Sequence, residues 1–362
     1  MRSARTQAVR STQPSTPHFS LSKQAHKFSV ASPGRRFISY LVDLVIIGCI
    51  ATLVLAPFQI SPVLFIGSFL YFQGVEELSL IPLHDIAVTS ISFIILAIIY
   101  FFAEAFLNLS VGKLLMGQQV VILKGFSTPR RRFFGSLQRA IVKAVPPVSM
   151  IDGLFILKRR GFNQRMTDAH NGLVVMQKKK PSWGDFLLAS TILYYLPLVT
   201  MTFRSYLFST YSSYPTNTSN DITASFENAL YQIVTNNMSL GLQLFLGGVT
   251  MSFISILIIF SSSLIEGIVL GHILLSQPSL IFYNVLPHFL FETVGYVLEI
   301  GGSLIISTII LDWFEGYIKG KSVRTNMSEI GEKVKHLLIF LLISATLILI
   351  GAVVETSLVS PS

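Results

Sequence analysis

The chain has 362 residues, 51% hydrophobic and only 12% charged, with a net charge of +9. A soluble domain carries about twice that charged fraction, so an ordinary soluble enzyme is excluded and the bilayer is the expected solvent. The single cysteine, Cys49, excludes an internal disulfide framework and a thiolate metal cluster.

The basic residues are unevenly placed. Of the 27 Lys and Arg, 26 fall within residues 2–36, 113–143, 158–180 and 319–335, and only Arg204 lies elsewhere. The connections 59–84, 206–228 and 275–285 carry none. By the positive-inside rule the basic blocks face the cytoplasm and the other connections face outward. Because the positive charge flanks apolar segments, it reads as topology plus attraction to anionic lipid. No nucleic-acid partner is expected.

In chain order, residues 1–34 are Ser-, Thr-, Gln- and Pro-containing, basic and free of carboxylates, which predicts a disordered cytoplasmic tail. The same composition describes an organellar transit peptide, whereas a secretory signal would need an apolar core that the tail lacks. Taking about 20 apolar residues per crossing, helices are expected at 38–58, 87–107, 185–205, 229–248, 250–274, 286–311 and 336–357. These seven crossings put the amino terminus inside and the carboxyl terminus outside. The fourth and fifth share one apolar run, divided at Gly247-Gly248, where paired glycines permit a tight turn.

Ala144–Leu157 is apolar but, as a helix, would rise only ~21 Å against a ~30 Å core, and it contains Pro146-Pro147. Both flanks are basic, so a re-entrant or interfacial segment is expected there. The short patch Val63–Phe72 is expected at the outer interface. The resulting fold class is an all-α, polytopic integral membrane protein. Three parts are expected: a tail over 1–34, a membrane domain over 35–180 and a second membrane domain over 181–362.

The first half carries Arg35-Arg36 with Asp43 seven residues after Arg36, which places Arg36 and Asp43 on one helical face with the carboxylate roughly 10 Å deeper. Ser110-Val111-Gly112-Lys113 with Gly117-Gln118, then Arg139, then Arg165-Met166-Thr167-Asp168-Ala169-His170-Asn171-Gly172 follow. Together these motifs resemble the RDD family, with Arg36, Asp43 and Asp168 at the defining positions and Ser39 where Ala is usual. The expected arrangement is a cytoplasm-side charge cluster in which Arg36 or Arg139 ties Asp168 to the first helix. Its role would be structural or that of an ion-binding vestibule.

The second half resembles the stage II sporulation protein M family. The matching residues are Asn236-Asn237, Gly247-Gly248, Glu266-Gly267 with Gly271, Pro287-His288-Phe289-Leu290-Phe291-Glu292, and Ala352-Val353-Val354-Glu355. Glu266 and Phe289 depart from the usual Asn and Gly. The resemblance implies work within an envelope-remodelling complex. Relatives of both families are often encoded near one another and near AAA-type ATPases, so the resemblances imply a cytoplasmic partner on the basic face, and they fix architecture more than chemistry.

Ionisable groups in spans cost about 2.5–3.5 kcal/mol each on insertion scales and need partners. The cases are Asp43, Glu104, Glu266, His272, His288, Glu292, Glu299 and Glu355. His288 and Glu292 are neighbours on one helical face, and Glu299 continues the stripe. With Glu266 they form either a proton or cation relay or interhelical glue. Ser263, Gly267 and Gly271 make a small-residue ridge for close packing, within the chain or between copies. No phosphate loop, metalloprotease motif, nucleophile elbow or Cys-based nucleophile is present, and His288 with Glu292 offers too few ligands for a metal hydrolase. No catalytic residue, cofactor or metal is expected. Of the sequons at Asn108, Asn217, Asn237 and Asn326, only Asn217 lies in an outer loop clear of helices.

The function expected is a non-enzymatic membrane assembly or scaffolding module for an envelope-associated complex. The alternative is an ion or proton-coupled small-solute transporter. Partners would be the bilayer, anionic lipid at the cytoplasmic face and membrane or cytoplasmic proteins, with homo-oligomerisation through the small-residue ridge as an added option. The location expected is the cell membrane.

Overall fold

The computed structural model describes residues 29–58, 86–103, 110–122, 129–145, 148–149, 151–152, 156–159, 162–177, 181–208, 226–250, 252–318 and 323–359. The 1–28 tail, the Val63–Phe72 patch, Glu104, Asn108 and Asn217 lie outside these residues.

Helices α1 (Pro33–Leu55), α2 (Ile86–Phe102), the short α3 (Val111–Leu115), α4 (Pro129–Ala144) and α5 (Met166–Asn171) build the first half. The second half consists of α6 (Trp183–Phe208), α7 (Phe226–Leu246), α8 (Phe253–Ser276), α9 (Leu286–Ile318) and α10 (Val323–Val359). Five helical segments are long and apolar enough to cross a membrane: Gly34–Leu55, Trp183–Leu207, Phe253–Ser276, Pro278–Phe314 and Lys333–Leu358. The protein is thus a helical membrane protein. The seven expected crossings all fall on helices, but α2 has 17 residues and α7 contains Glu227, Asn236, Asn237 and Gln243, so neither meets that measure.

The helices form where apolar runs can bury their backbone polar groups internally, the condition a bilayer imposes. Pro33 opens α1, where its missing N–H is no loss. The break between α7 and α8 falls at Gly247–Thr250. A Cβ on Gly248 would lie 2.7 Å from the Ser303 carbonyl oxygen, so α9 can come this close only to glycine. Ser252 completes the turn in the left-handed region at φ 61°, with its hydroxyl 2.6 Å from that of Ser307. Ser255 shares a 2.6 Å bond with Ser303 and donates to the Leu244 carbonyl at 2.5 Å. Ser307 donates to the Gly248 carbonyl at 2.9 Å. A cluster of buried serines therefore pins the turn to α9.

Alongside the helices lies a small antiparallel sheet that the sequence did not announce. Strand β2 (Gln118–Ile122) pairs along its length with β5 (Leu173–Gln177), and the two-residue β1 (Ser29–Val30) pairs with the other edge of β5. A separate hairpin joins β3 (Ile156–Arg159) to β4 (Phe162–Arg165). The end of the 144–157 segment therefore enters a strand, and no long apolar helix occupies its described part. Buried Asp152 accepts bonds from Thr167 N at 3.1 Å and its hydroxyl at 2.9 Å, tying this segment to α5.

One apolar core runs through both halves, from Ile38, Val42 and Leu96 to Phe260, Ile300 and Phe340. At its basic edge Arg35 of α1 pairs with Asp312 of α9, and Lys333 of α10 reaches the same carboxylate at 2.7 Å. Exposed Tyr283 stands just before α9, and exposed Trp313 and Tyr317 stand near its other end. From Tyr283 to Trp313 the helix rises roughly 45 Å, which matches a bilayer measured to its interfaces. Aromatic rings belong at those two levels.

Candidate functional site

Two polar clusters interrupt the apolar core. The first lies at the basic end of α1. Asp43, two turns after Arg36 in α1, accepts from the Ser110 hydroxyl at 2.5 Å and from the Gly112 amide at 2.8 Å. A Cβ on Gly112 would stand 2.1 Å from the Ser39 carbonyl oxygen, so only glycine lets α3 lie this close to α1. Asp168, in the first turn of α5, is 3.1 Å from the Arg139 Nε and 3.8 Å from the Arg36 Nη1. The Arg36 Nη2 also donates to the Val175 carbonyl of β5 at 3.3 Å. Both Arg36 and Arg139 thus tie Asp168 to the bundle, where the sequence motifs left a choice between them.

Arg36, Asp43, Arg139 and Asp168 are all buried. They line one small pocket. Lys113, Lys143 and Arg165 line it too. The three lay in the quoted basic motifs, or beside them in the case of Lys143, but nothing in their spacing showed that they converge. Tyr40 donates to the Lys143 carbonyl at 3.2 Å, fixing α4 against α1.

The second cluster lies between α7, α9 and α10. His288, Glu292 and Glu355 bring ligand-type atoms within 4.8 Å of one another. Asn237 of α7 donates to Glu292 at 2.6 Å. The contact requires Gly351, since a Cβ there would stand 2.6 Å from the Glu292 Cγ. His288 and Glu292 alone are too few ligands for a metal; Glu355 brings a third ligand-type group beside them, and three such groups with an open position can hold a divalent cation or a shared proton. Asn237 sits in the middle of α7, well within a helix of 21 residues.

The remaining polar positions do not join that cluster. Buried Glu299 accepts from the Ser344 hydroxyl of α10 at 2.6 Å. Glu266 accepts a bond from Tyr194 of α6. Each is thus occupied by its own partner on a neighbouring helix. Gly267 and Gly271 pack on α6, where added Cβ atoms would lie 2.5 Å from the Leu198 oxygen and from the Ser205 Cβ respectively. Buried Ser263 bonds the Phe260 carbonyl within α8. The ridge is used within the chain.

No curated protein and no solved structure matches the chain. The resemblance of the first half to the RDD family rests on its motifs alone. The family model of stage II sporulation protein M matches residues 184–361, which places α6 to α10, with the His288, Glu292 and Glu355 cluster, in a membrane domain similar to that family.

Proposed function

We propose that the chain is a non-enzymatic membrane assembly module, in which an RDD-like domain over 35–180 and a stage II sporulation protein M-like domain over 181–362 act as one scaffold for an envelope-associated complex. The observation that carries this reading is how four carboxylates, buried or half-buried within the helices, are held. Asp43 takes its bonds from Ser110 and Gly112, Glu266 from Tyr194, Glu292 from Asn237, and Glu299 from Ser344. Each donor belongs to a different helix or to the segment leading into one, so the carboxylates fasten elements to one another. The basic connections face the cytoplasm of the cell membrane, with the amino terminus inside and the carboxyl terminus outside, and offer a surface to acidic protein partners.

Photo-crosslinking from the basic connections in native membranes tests this. Discrete protein adducts that vanish when Arg130, Arg131 and Arg132 are changed to Glu are the expected result. A second reading, cation or proton transport, is favoured by the His288, Glu292 and Glu355 cluster. Purified protein in liposomes under proton, Na⁺ and K⁺ gradients separates the two: flux that disappears in Glu292→Gln would replace scaffolding with transport.

A further inference from the structure

Three ligand-type side chains from two helices meet far from the basic edge of the bundle. His288 and Glu292 lie one turn apart on α9 and share a face. Glu355 comes from near the end of α10, and the ligand-type atoms of the three lie within 4.8 Å of one another. All three residues are half-buried. Gly351, one turn before Glu355, lets the helices approach, since a Cβ there would stand 2.6 Å from the Glu292 Cγ and 3.3 Å from the His288 carbonyl oxygen. From His288 to Asp312, where Arg35 and Lys333 converge, α9 rises roughly 36 Å, so this cluster occupies the opposite end of the helix.

Two carboxylates this close repel one another unless a cation or a proton joins them. The third group decides between these. The His288 Nδ1 is buried and has no hydrogen-bond partner among the described residues, although buried polar atoms are normally satisfied. A proton shared between the carboxylates leaves the imidazole alone, whereas an ion between the helices gives it a partner as well. A neutral imidazole, two carboxylates and a divalent ion sum to zero charge, the state that costs least beside hydrocarbon. The nitrogen ligand selects a transition ion over Mg²⁺ and Ca²⁺, which take oxygen ligands. Asn237 of α7 donates to one Glu292 oxygen at 2.6 Å, the kind of orienting bond that a ligating carboxylate receives from its surroundings.

We propose that His288, Glu292 and Glu355 form a site for a resident divalent transition-metal ion of the Zn²⁺ class, with three protein ligands and the fourth tetrahedral position open. Asn237 is a positioning residue that acts through Glu292. The ion clasps α9 to α10, and through Asn237 to α7, at the end of the bundle where Phe282 and Tyr283 stand exposed. The site does not depend on the scaffold reading: an ion retained in fixed proportion to the chain is a resident group, and an ion in transit is not retained.

The test uses the full chain in neutral detergent, stripped of metal with a chelator and then loaded with zinc, magnesium or calcium chloride. Bound metal is counted by elemental analysis after desalting, and zinc affinity is read by competition with a chromophoric chelator. Wild type is expected to retain one equivalent of zinc more than Glu355→Gln, a difference that cancels any zinc held by the other histidines, and to retain neither magnesium nor calcium. Asn237→Ala is expected to keep the stoichiometry and to weaken zinc affinity about 10–100-fold. X-ray absorption at the zinc edge of wild type loaded with one equivalent, expected to show oxygen ligands and a single imidazole, needs no variant and so stands even where a variant fails to fold. Equal zinc in wild type and Glu355→Gln, magnesium retained as well as zinc, or a shell of two or more imidazoles would overturn the site, and unchanged affinity in Asn237→Ala would overturn the positioning role.

Discussion

Asp312 is the joint on which the two halves meet, and its removal gives the sharpest test of how they are held. The Arg35 side chain is 5% exposed and that of Asp312 17% exposed, whereas Lys333 is 25% exposed. In Asp312→Asn the Arg35 charge stays buried and loses its counter-ion, a change that costs about 3–5 kcal/mol. In Lys333→Met the Arg35–Asp312 pair survives and an apolar stem replaces an amphipathic one, so the loss is within about 1 kcal/mol, as for a surface pair. The two variants should differ by roughly 3 kcal/mol, more than a hundredfold in the unfolding equilibrium. Unfolding by SDS titration in mixed micelles, read from the fluorescence of Trp313 next to the site, measures both. Equal losses in the two variants would refute the assignment of Asp312 as a buried counter-ion.

Other substitutions probe single contacts. Gly112→Ala should abolish the seating of α3 on α1, because the new carbon would stand 2.1 Å from a backbone oxygen; the readout is monodisperse yield after detergent extraction, and a wild-type yield would contradict the close approach. Gly271→Ala should destabilise the monomer without changing the oligomeric state, since the ridge packs on α6; light scattering that showed a lost dimer would instead assign the ridge to an intermolecular contact. Ser344→Ala should cost about 0.6–1.7 kcal/mol, the range of interhelical hydrogen bonds in membranes, and no further loss should follow when it is combined with Glu299→Gln in a double-mutant cycle. Zn²⁺ should raise the unfolding temperature of wild type but not of Glu355→Gln if the His288 cluster takes a divalent cation, and equal responses would leave it a purely protonic or structural contact.

Much of the helical frame was legible because apolar length and basic flanks are strong signals. The break at Gly247-Gly248 was legible for the same reason, since a run longer than one span needs a turn and paired glycines allow it. The strands were not, because Gln118–Ile122 and Leu173–Gln177 are short apolar runs that periodicity alone cannot assign. The thirteen or so residues of α10 before the apolar part were missed because hydropathy reports the membrane and not the helix: Val323–Val359 continues a polar helix straight into a spanning one. At the site, Arg36, Asp43 and Asp168 carried a spacing signal, but Arg35 stood beside Arg36 with nothing to separate their partners. Glu355 could not be joined to His288 from sequence, since their meeting depends on Gly351 letting α10 lie against α9.

The serine cluster at the α7–α8 turn also sets an order of events. Ser252, Ser255, Ser303 and Ser307 bond mainly to one another and to carbonyls of the turn. Hydroxyls of this kind gain little from one another in water, which competes for every bond, and acquire their full worth only inside hydrocarbon. If α7 crosses the membrane as the seven-crossing reading expects, the hairpin of α7 and α8 enters with its hydroxyls satisfied locally, and α9 then exchanges those temporary bonds for permanent ones. On that reading a translation arrest placed between residues 276 and 318 should trap the hairpin as a stable but loosely closed intermediate.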